Sequence, residues 1–176
     1  MHRRSALSLI ALGAIVPTIA FGQQQGRAER RLGAAADKYI RDTLDAGALA
    51  LATSRIAQEK ASNAWVKRFA NYETSEQEGV AAIFSSLGGQ PPSEASENLL
   101  AQVRDLRGLS GERFEESYLQ GQHDGHEHLL HIQDEFIRTG DDPLIADMAK
   151  LIRGRVEEHL NLIAAIRGEL RAYARR

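Results

Sequence analysis

The stretch LGGQPP, Leu87–Pro92, decides the fold. Before it, apolar residues recur at helical spacing. Gly88-Gly89 end that helix, because glycine alone enters the left-handed turn without strain, and Pro91-Pro92 prevent a restart. About 20 residues, Gly88 to about Leu109, then pass before the next long amphipathic pattern begins. A short helical piece is expected inside this connection, from about Glu94 to Leu106.

Working outward, the other connections are tight. A first helix is expected over Asp37–Ala61, with Ile40, Leu44, Ala48, Leu51 and Arg55 on one face. Small residues around Ala46–Ala52 would let a neighbour approach closely. A second spans Asn63–Leu87, capped by Ser62 or Asn63, with a stripe of Trp65, Phe69, Tyr72, Val80, Ile83 and Leu87. A third spans Gly111–Arg138, capped by Ser110, with Phe114, Tyr118, Leu129, Ile132, Phe136 and Ile137 inward. Asp142 as cap and Pro143 at the first position open a fourth, which runs to about Tyr173. Its core face is Leu144, Met148, Leu151, Ile152, Leu162, Ile163, Ile166 and Leu170. No stretch alternates with period two for long enough to be a strand. Short turns make helices one and two antiparallel, and likewise three and four. The long middle connection can run the length of the molecule. The fold class is therefore all-α, a ferritin-like four-helix bundle with one long crossover between helices two and three, which lie parallel.

The 176 residues suffice for one domain with a real core. A formal net charge of −2 gives no basic balance for nucleic acid. The absence of cysteine excludes disulfides, thiolate metal sites and cysteine nucleophiles. The N-terminus has Arg3 and Arg4, an apolar run from Ala6 to about Ala20, and small residues Ala20 and Gly22 flanking Phe21. That order reads as a signal peptide over residues 1–22, cleaved near Gly22. Pro17 breaks the run, which is short for a membrane span. Residues 23–36 are polar or small and read as a flexible segment, and 37–174 as the bundle domain. The expected location is the periplasm or the exterior, with no membrane span in the mature chain.

Four of the six histidines fall in HDGHEHLLH, His123–His131. At about 100° per residue, His126 aims at the core, His123 and His128 lie on the borders, and His131 points outward. Polar residues also intrude on the other apolar stripes. His159 sits at the centre of helix four with Arg155 one turn before it. Glu73 and Glu76 lie on the helix-two stripe, and Gln122 precedes His126 by a turn. Heights along the helices match, so Glu73, Glu76, Gln122, His126, Arg155 and His159 should form a mid-bundle polar layer. Burying such groups is costly unless they pair or bind something. Imidazole with carboxylate suits iron, manganese or zinc, which makes Glu73, Glu76, His126 and His159 the candidate ligands. Arg155 could instead neutralise the glutamates without metal.

Three segments carry a family resemblance: AQEKASNAWVKRFA (Ala57–Ala70), SGERFEESYLQGQHDGH (Ser110–His126) and DPLIADMAKLIRGRVEEHL (Asp142–Leu160). With these segments in this order and spacing, the chain resembles the domain-of-unknown-function 4142 family, a secreted bacterial ferritin-like group. The resemblance implies an exported helical bundle, envelope- or stress-related, with no established reaction. This chain departs from it in two places. Where the family tends to carry an Asp-His pair in helix two, it reads Glu76-Gln77, and where the family tends to have a helix-one glutamate, it has Ala50. A di-iron site needs a Glu from each of two helices and a Glu-x-x-His from each of two others, and that set is absent.

Two readings follow. The first is an exported, non-enzymatic bundle with a degenerate metal centre. Its polar layer is a hydrogen-bonded network, and it works by binding an unknown protein partner or another copy of itself. The alternative is a periplasmic protein holding a single iron, manganese or zinc ion for oxidant defence or sequestration. No catalytic motif is present: there is no GxSxG, P-loop, GxGxxG or HExxH.

Overall fold

A computed structural model of the chain describes residues 31–90 and 96–174. The signal-peptide reading of residues 1–22 lies outside the described residues, as does most of the segment read as flexible. The helices are α1 (Ala34–Lys60), α2 (Ala64–Ser86), α3 (Glu97–Arg107), α4 (Gly111–Thr139) and α5 (Pro143–Ala174), with no strand among the described residues. α1 starts three residues before the expected Asp37, so Ala34–Ala36 belong to the helix.

Local chemistry sets the boundaries. Asn63 Oδ1 accepts from the Trp65 and Val66 amides and opens α2. Asp142 Oδ1 does the same for Leu144 and Ile145 at the start of α5. α3, inside the crossover, is capped by the Ser96 hydroxyl. Ser110 does stand at the N-cap of α4, but its side chain makes no capping bond. The LGG turn is a Schellman motif: the Gly88 amide donates to Ser85 O and the Gly89 amide to Phe84 O. Gly88 has φ 90°, the left-handed region. A Cβ on Gly89 would lie 2.6 Å from Ile40 Cγ2, so the end of α2 can close on α1 only through glycine.

The four long helices follow the connectivity expected of a bundle with one crossover. α1 packs along α2 and α4, and α4 along α5, while α2 and α5 touch only sparsely. α4 starts beside the end of α1. There Glu115 Oε1 accepts from the Ser62 amide, the Ser62 hydroxyl and the Asn63 amide, binding the α1–α2 turn from another helix. At the opposite end the Tyr39 ring of α1 stacks on Phe136 near the end of α4. α2 and α4 therefore run parallel, and α1 and α5 run against them.

The core is divided. One apolar cluster gathers Tyr39, Ile40, Phe84, Leu129, Phe136, Ile145 and Ile152 near the LGG turn. The other gathers Ile56, Val66, Phe69, Phe114, Tyr118, Leu119 and Ile163 at the far end. Each buried aromatic or aliphatic side chain contributes about 1.5–3 kcal/mol.

Three expected faces are rotated. On α1 the inward positions at mid-height are Gly47, Ala50, Thr53 and Ser54, whereas Ala48 and Arg55 are exposed. On α2, Trp65 and Tyr72 are 52% and 53% exposed rather than core, and Ile83 is also exposed. On α5, Leu144 and Leu151 are exposed, and Ile145, Ala149 and Val156 take the core positions. α2 and α5 meet each other only sparsely, so less of their surface is covered there than where α1 and α4 meet.

Candidate metal centre

Between the two apolar clusters lies a polar layer. Its centre is Glu73 of α2, His126 of α4 and His159 of α5, at 0%, 1% and 2% exposure. Each came from an apolar stripe in the sequence, so each side chain is delivered to the axis by the helix that buries its neighbours. Phe69, one turn before Glu73, sets its ring 5.3 Å from that of His159 and 6.2 Å from that of His126.

Three atoms converge. Glu73 Oε2 lies 2.8 Å from His159 Nδ1 and 3.3 Å from His126 Nε2, and the two nitrogens are 3.1 Å apart. The other atoms of these groups are already engaged. His126 Nδ1 is 2.7 Å from the Gln122 carbonyl, which can only accept, so Nδ1 carries the hydrogen and neutral Nε2 presents a lone pair. His159 Nε2 faces Glu76 Oε2 at 3.6 Å. Glu73 Oε1 accepts from Gln77 Nε2 at 2.8 Å. Glu73 Oε2 has no hydrogen-bond partner, because neither ring nitrogen approaches it along a donating direction. His126 Nε2 therefore accepts from His159 Nδ1 across the 3.1 Å between them, Glu73 Oε2 is left as the unpartnered acceptor, and its buried charge calls for a positive one.

A proton or a cation can supply it. Burial pushes the Glu73 carboxyl up, but the His126 and His159 imidazoles beside it outweigh burial and hold it well below the ordinary carboxylate range. Burial likewise disfavours the charged form of His126, yet contact with Glu73 raises it overall. A divalent cation would meet donors at fitting separations, since metal–ligand bonds of about 2.0–2.2 Å set neighbouring donors roughly 3 Å apart. Both imidazoles also have their outer nitrogens turned toward oxygen acceptors, the support that metal-bound histidines ordinarily have.

The other layer residues take supporting places. Glu76 does not join the converging atoms. Its Oε2 lies 2.9 Å from both Nε and a terminal nitrogen of Arg155, which also pairs with Glu158. Arg155 is 42% exposed and so neutralises Glu76 at the surface rather than Glu73 inside. Gln122 donates to Thr53 Oγ1 at 2.8 Å and to Ala50 O at 3.3 Å, tying α4 to α1. The sequence marked Gln77 only as a departure from the family and Gly47 only among the small residues of α1: a Cβ on Gly47 would lie 2.4 Å from Gln77 Oε1, so this glycine makes room for the amide that holds Glu73. Sequence reasoning overlooked Thr53 and Ser54, whose small hydroxyls carry no weight in an apolar pattern. Ser54 bonds the Tyr118 hydroxyl at 2.8 Å.

The model of the family described as domain of unknown function DUF4142 matches residues 22–166. The chain belongs to the DUF4142 family. Among solved structures it is similar to a DUF305 fragment from Deinococcus radiodurans, with TM-score 0.68 and 16% identity over 80% of this chain and 99% of that one. A DUF305 protein from Streptomyces coelicolor, described as a candidate secreted protein, gives TM-score 0.65 and 18% identity over 77% and 91%. Likeness at this identity speaks to the fold of this DUF4142 chain. None of the curated proteins matches it.

Proposed function

We propose that this DUF4142 protein is an exported bundle that holds one divalent first-row metal ion at Glu73, His126 and His159. One observation carries the reading: Glu73 Oε2, fully buried and without a hydrogen-bond partner, converges with two imidazole nitrogens at 2.8–3.3 Å. Iron(II) suits a donor set of two histidines and one carboxylate with positions left open, and manganese or zinc would be the competitors. α1 offers Ala50, Thr53 and Ser54 rather than a carboxylate, so the centre is mononuclear, and sequestration or oxidant defence is its expected use.

Elemental analysis of the protein, purified without a histidine tag or chelator, tests this beside His159→Ala. About one metal per chain, lost in the variant, is expected. Metal retained by the variant would move the site to the outer histidines. No metal in either, even after loading with iron, manganese and zinc, would return the layer to a proton-balanced network and the protein to partner binding.

Export rests on the N-terminal charge and apolar pattern and agrees with the description of the S. coelicolor neighbour. No helix among the described residues is long and apolar enough to cross a membrane. Mass analysis of the protein recovered from the cell envelope should give a chain beginning near Gln23, and a chain beginning at Met1 would overturn it.

A further inference from the structure

A closed centre needs a way in. Glu73, His126 and His159 are all but inaccessible, so an ion reaches them only where the helices part. Three of the four long-helix seams are closely packed. The α2–α5 seam is the exception. At helical spacing Tyr72 and Ile83 share the face of α2 that carries Glu76, and Leu144 and Leu151 the face of α5 that carries Arg155, and all four are exposed. At the middle of that seam, and at the height of the centre, stands the Arg155–Glu76 pair. Its exposure, 42% and 20%, falls between solvent and the buried triad. Glu76 Oε2 reaches inward to 3.6 Å from His159 Nε2 and outward to 2.9 Å from Arg155. Glu158 takes a second side of the same guanidinium.

We propose that the α2–α5 seam is the route by which a divalent cation reaches Glu73, His126 and His159, and that Arg155 sets the rate by holding Glu76 across the opening. This rests on the reading of those three residues as a metal site. When Arg155 swings outward, Glu76 and Glu158 are left as two carboxylates facing an incoming cation. The attraction that draws the ion in is then the one that Arg155 otherwise satisfies. Arg155 touches no donor atom of the centre. It is a positioning residue, and its effect should fall on rates rather than on affinity. The competing opening is the cleft of about 200 Å³ that α1 and α4 form with α3, lined by Ala50, Thr53, Gln102, Leu106, Gln122 and Gly125.

Cobalt(II) alone is a suitable probe, because its visible absorption reports coordination. Metal-free protein is mixed with Co²⁺ to follow entry, and the loaded protein with excess chelator to follow release. Arg155→Ala should speed entry and release together by about five- to tenfold, the scale of a partly exposed ion pair in which two guanidinium nitrogens share one carboxylate oxygen. The dissociation constant should stay within about twofold, since a gate acts equally on both directions. Arg155→Lys, which keeps the charge but not the fork, should fall between. Gly125→Phe, which fills the α1–α4 cleft, should leave both rates unchanged. A normal Co²⁺ spectrum with unaltered rates in Arg155→Ala would overturn the route alone, as would slowing by Gly125→Phe. No Co²⁺ spectrum in the unmodified protein would overturn the triad reading and the route with it.

Discussion

His123 and His126 stand three residues apart on α4, and each has carboxylates within reach. Asp124 and Glu127 lie 3.3 and 3.7 Å from His123 Nδ1, with side chains 62% and 63% exposed. Glu73 lies 3.3 Å from His126 Nε2, with both side chains shut from solvent. Both groups have the residue types and spacings that could hold a metal. They differ in origin. The outer carboxylates come from the helix that carries the histidine, and water solvates all three groups at little cost. The inner triad comes from three helices, and the fold must bring its charges together against their desolvation. A surface cluster can stand empty indefinitely. A buried one needs compensation at every moment, which is why the inner group is the one to test.

The largest effects should fall on the inner donors. Glu73→Gln or His126→Ala should abolish stoichiometric metal, read by elemental analysis, while circular dichroism confirms that the helices remain. Loss of metal from His123→Ala instead would reverse the comparison. Next comes the packing that supports the site. Phe69→Ala should lower unfolding stability by about 3–5 kcal/mol, because its buried ring packs beside both imidazoles. Trp65→Ala, one turn earlier and half exposed, should stay within about 0.5–1 kcal/mol in the same denaturant titration.

A smaller effect separates the groups by pH. Protons and metal compete for His126 Nε2, and Glu73 raises the proton affinity of this imidazole. Metal affinity should therefore weaken as pH falls, with the decline beginning above the usual imidazole range of about 6.5. A Co²⁺ titration in which affinity is constant between neutral and mildly acidic pH would count against bonding to nitrogen. The smallest effect is expected at the surface, where His123→Ala with Glu127→Gln should change stability by less than about 0.5 kcal/mol and leave the tightly bound metal in place.

The helices and their order were legible because their boundaries depend on local chemistry: Asn63, Asp142 and the LGG turn each act within a few residues. The inward aim of Glu73, His126 and His159 was legible for a related reason. Each interrupts an apolar stripe, and the stripe supplies its angle. Rotation of whole faces was harder to read. Trp65, Tyr72, Leu144 and Leu151 dominated the apolar pattern by size, yet all four are exposed. Gly47, Ala50, Thr53 and Ser54 are buried through close helix approach, which no hydropathy count registers. Glu76 shares the α2 stripe with Glu73, but periodicity cannot tell that Arg155 of another helix would claim it. Glu115 binds the α1–α2 turn across more than fifty residues, a partnership that exists only after the helices have assembled.

The polar layer that separates the two apolar clusters also bears on how the molecule comes apart. Each cluster draws on the same long helices, and between them lies a band held by a few directed contacts instead of continuous apolar packing. With a metal ion at Glu73, His126 and His159, the band would work as a clutch between the two ends. A cation bound to α2, α4 and α5 at once locks those helices in register, so both ends should open together in a single transition. With a proton in its place the lock is weaker, and amide exchange at the two ends should separate into two opening energies. Metal availability would then set the cooperativity of the whole bundle.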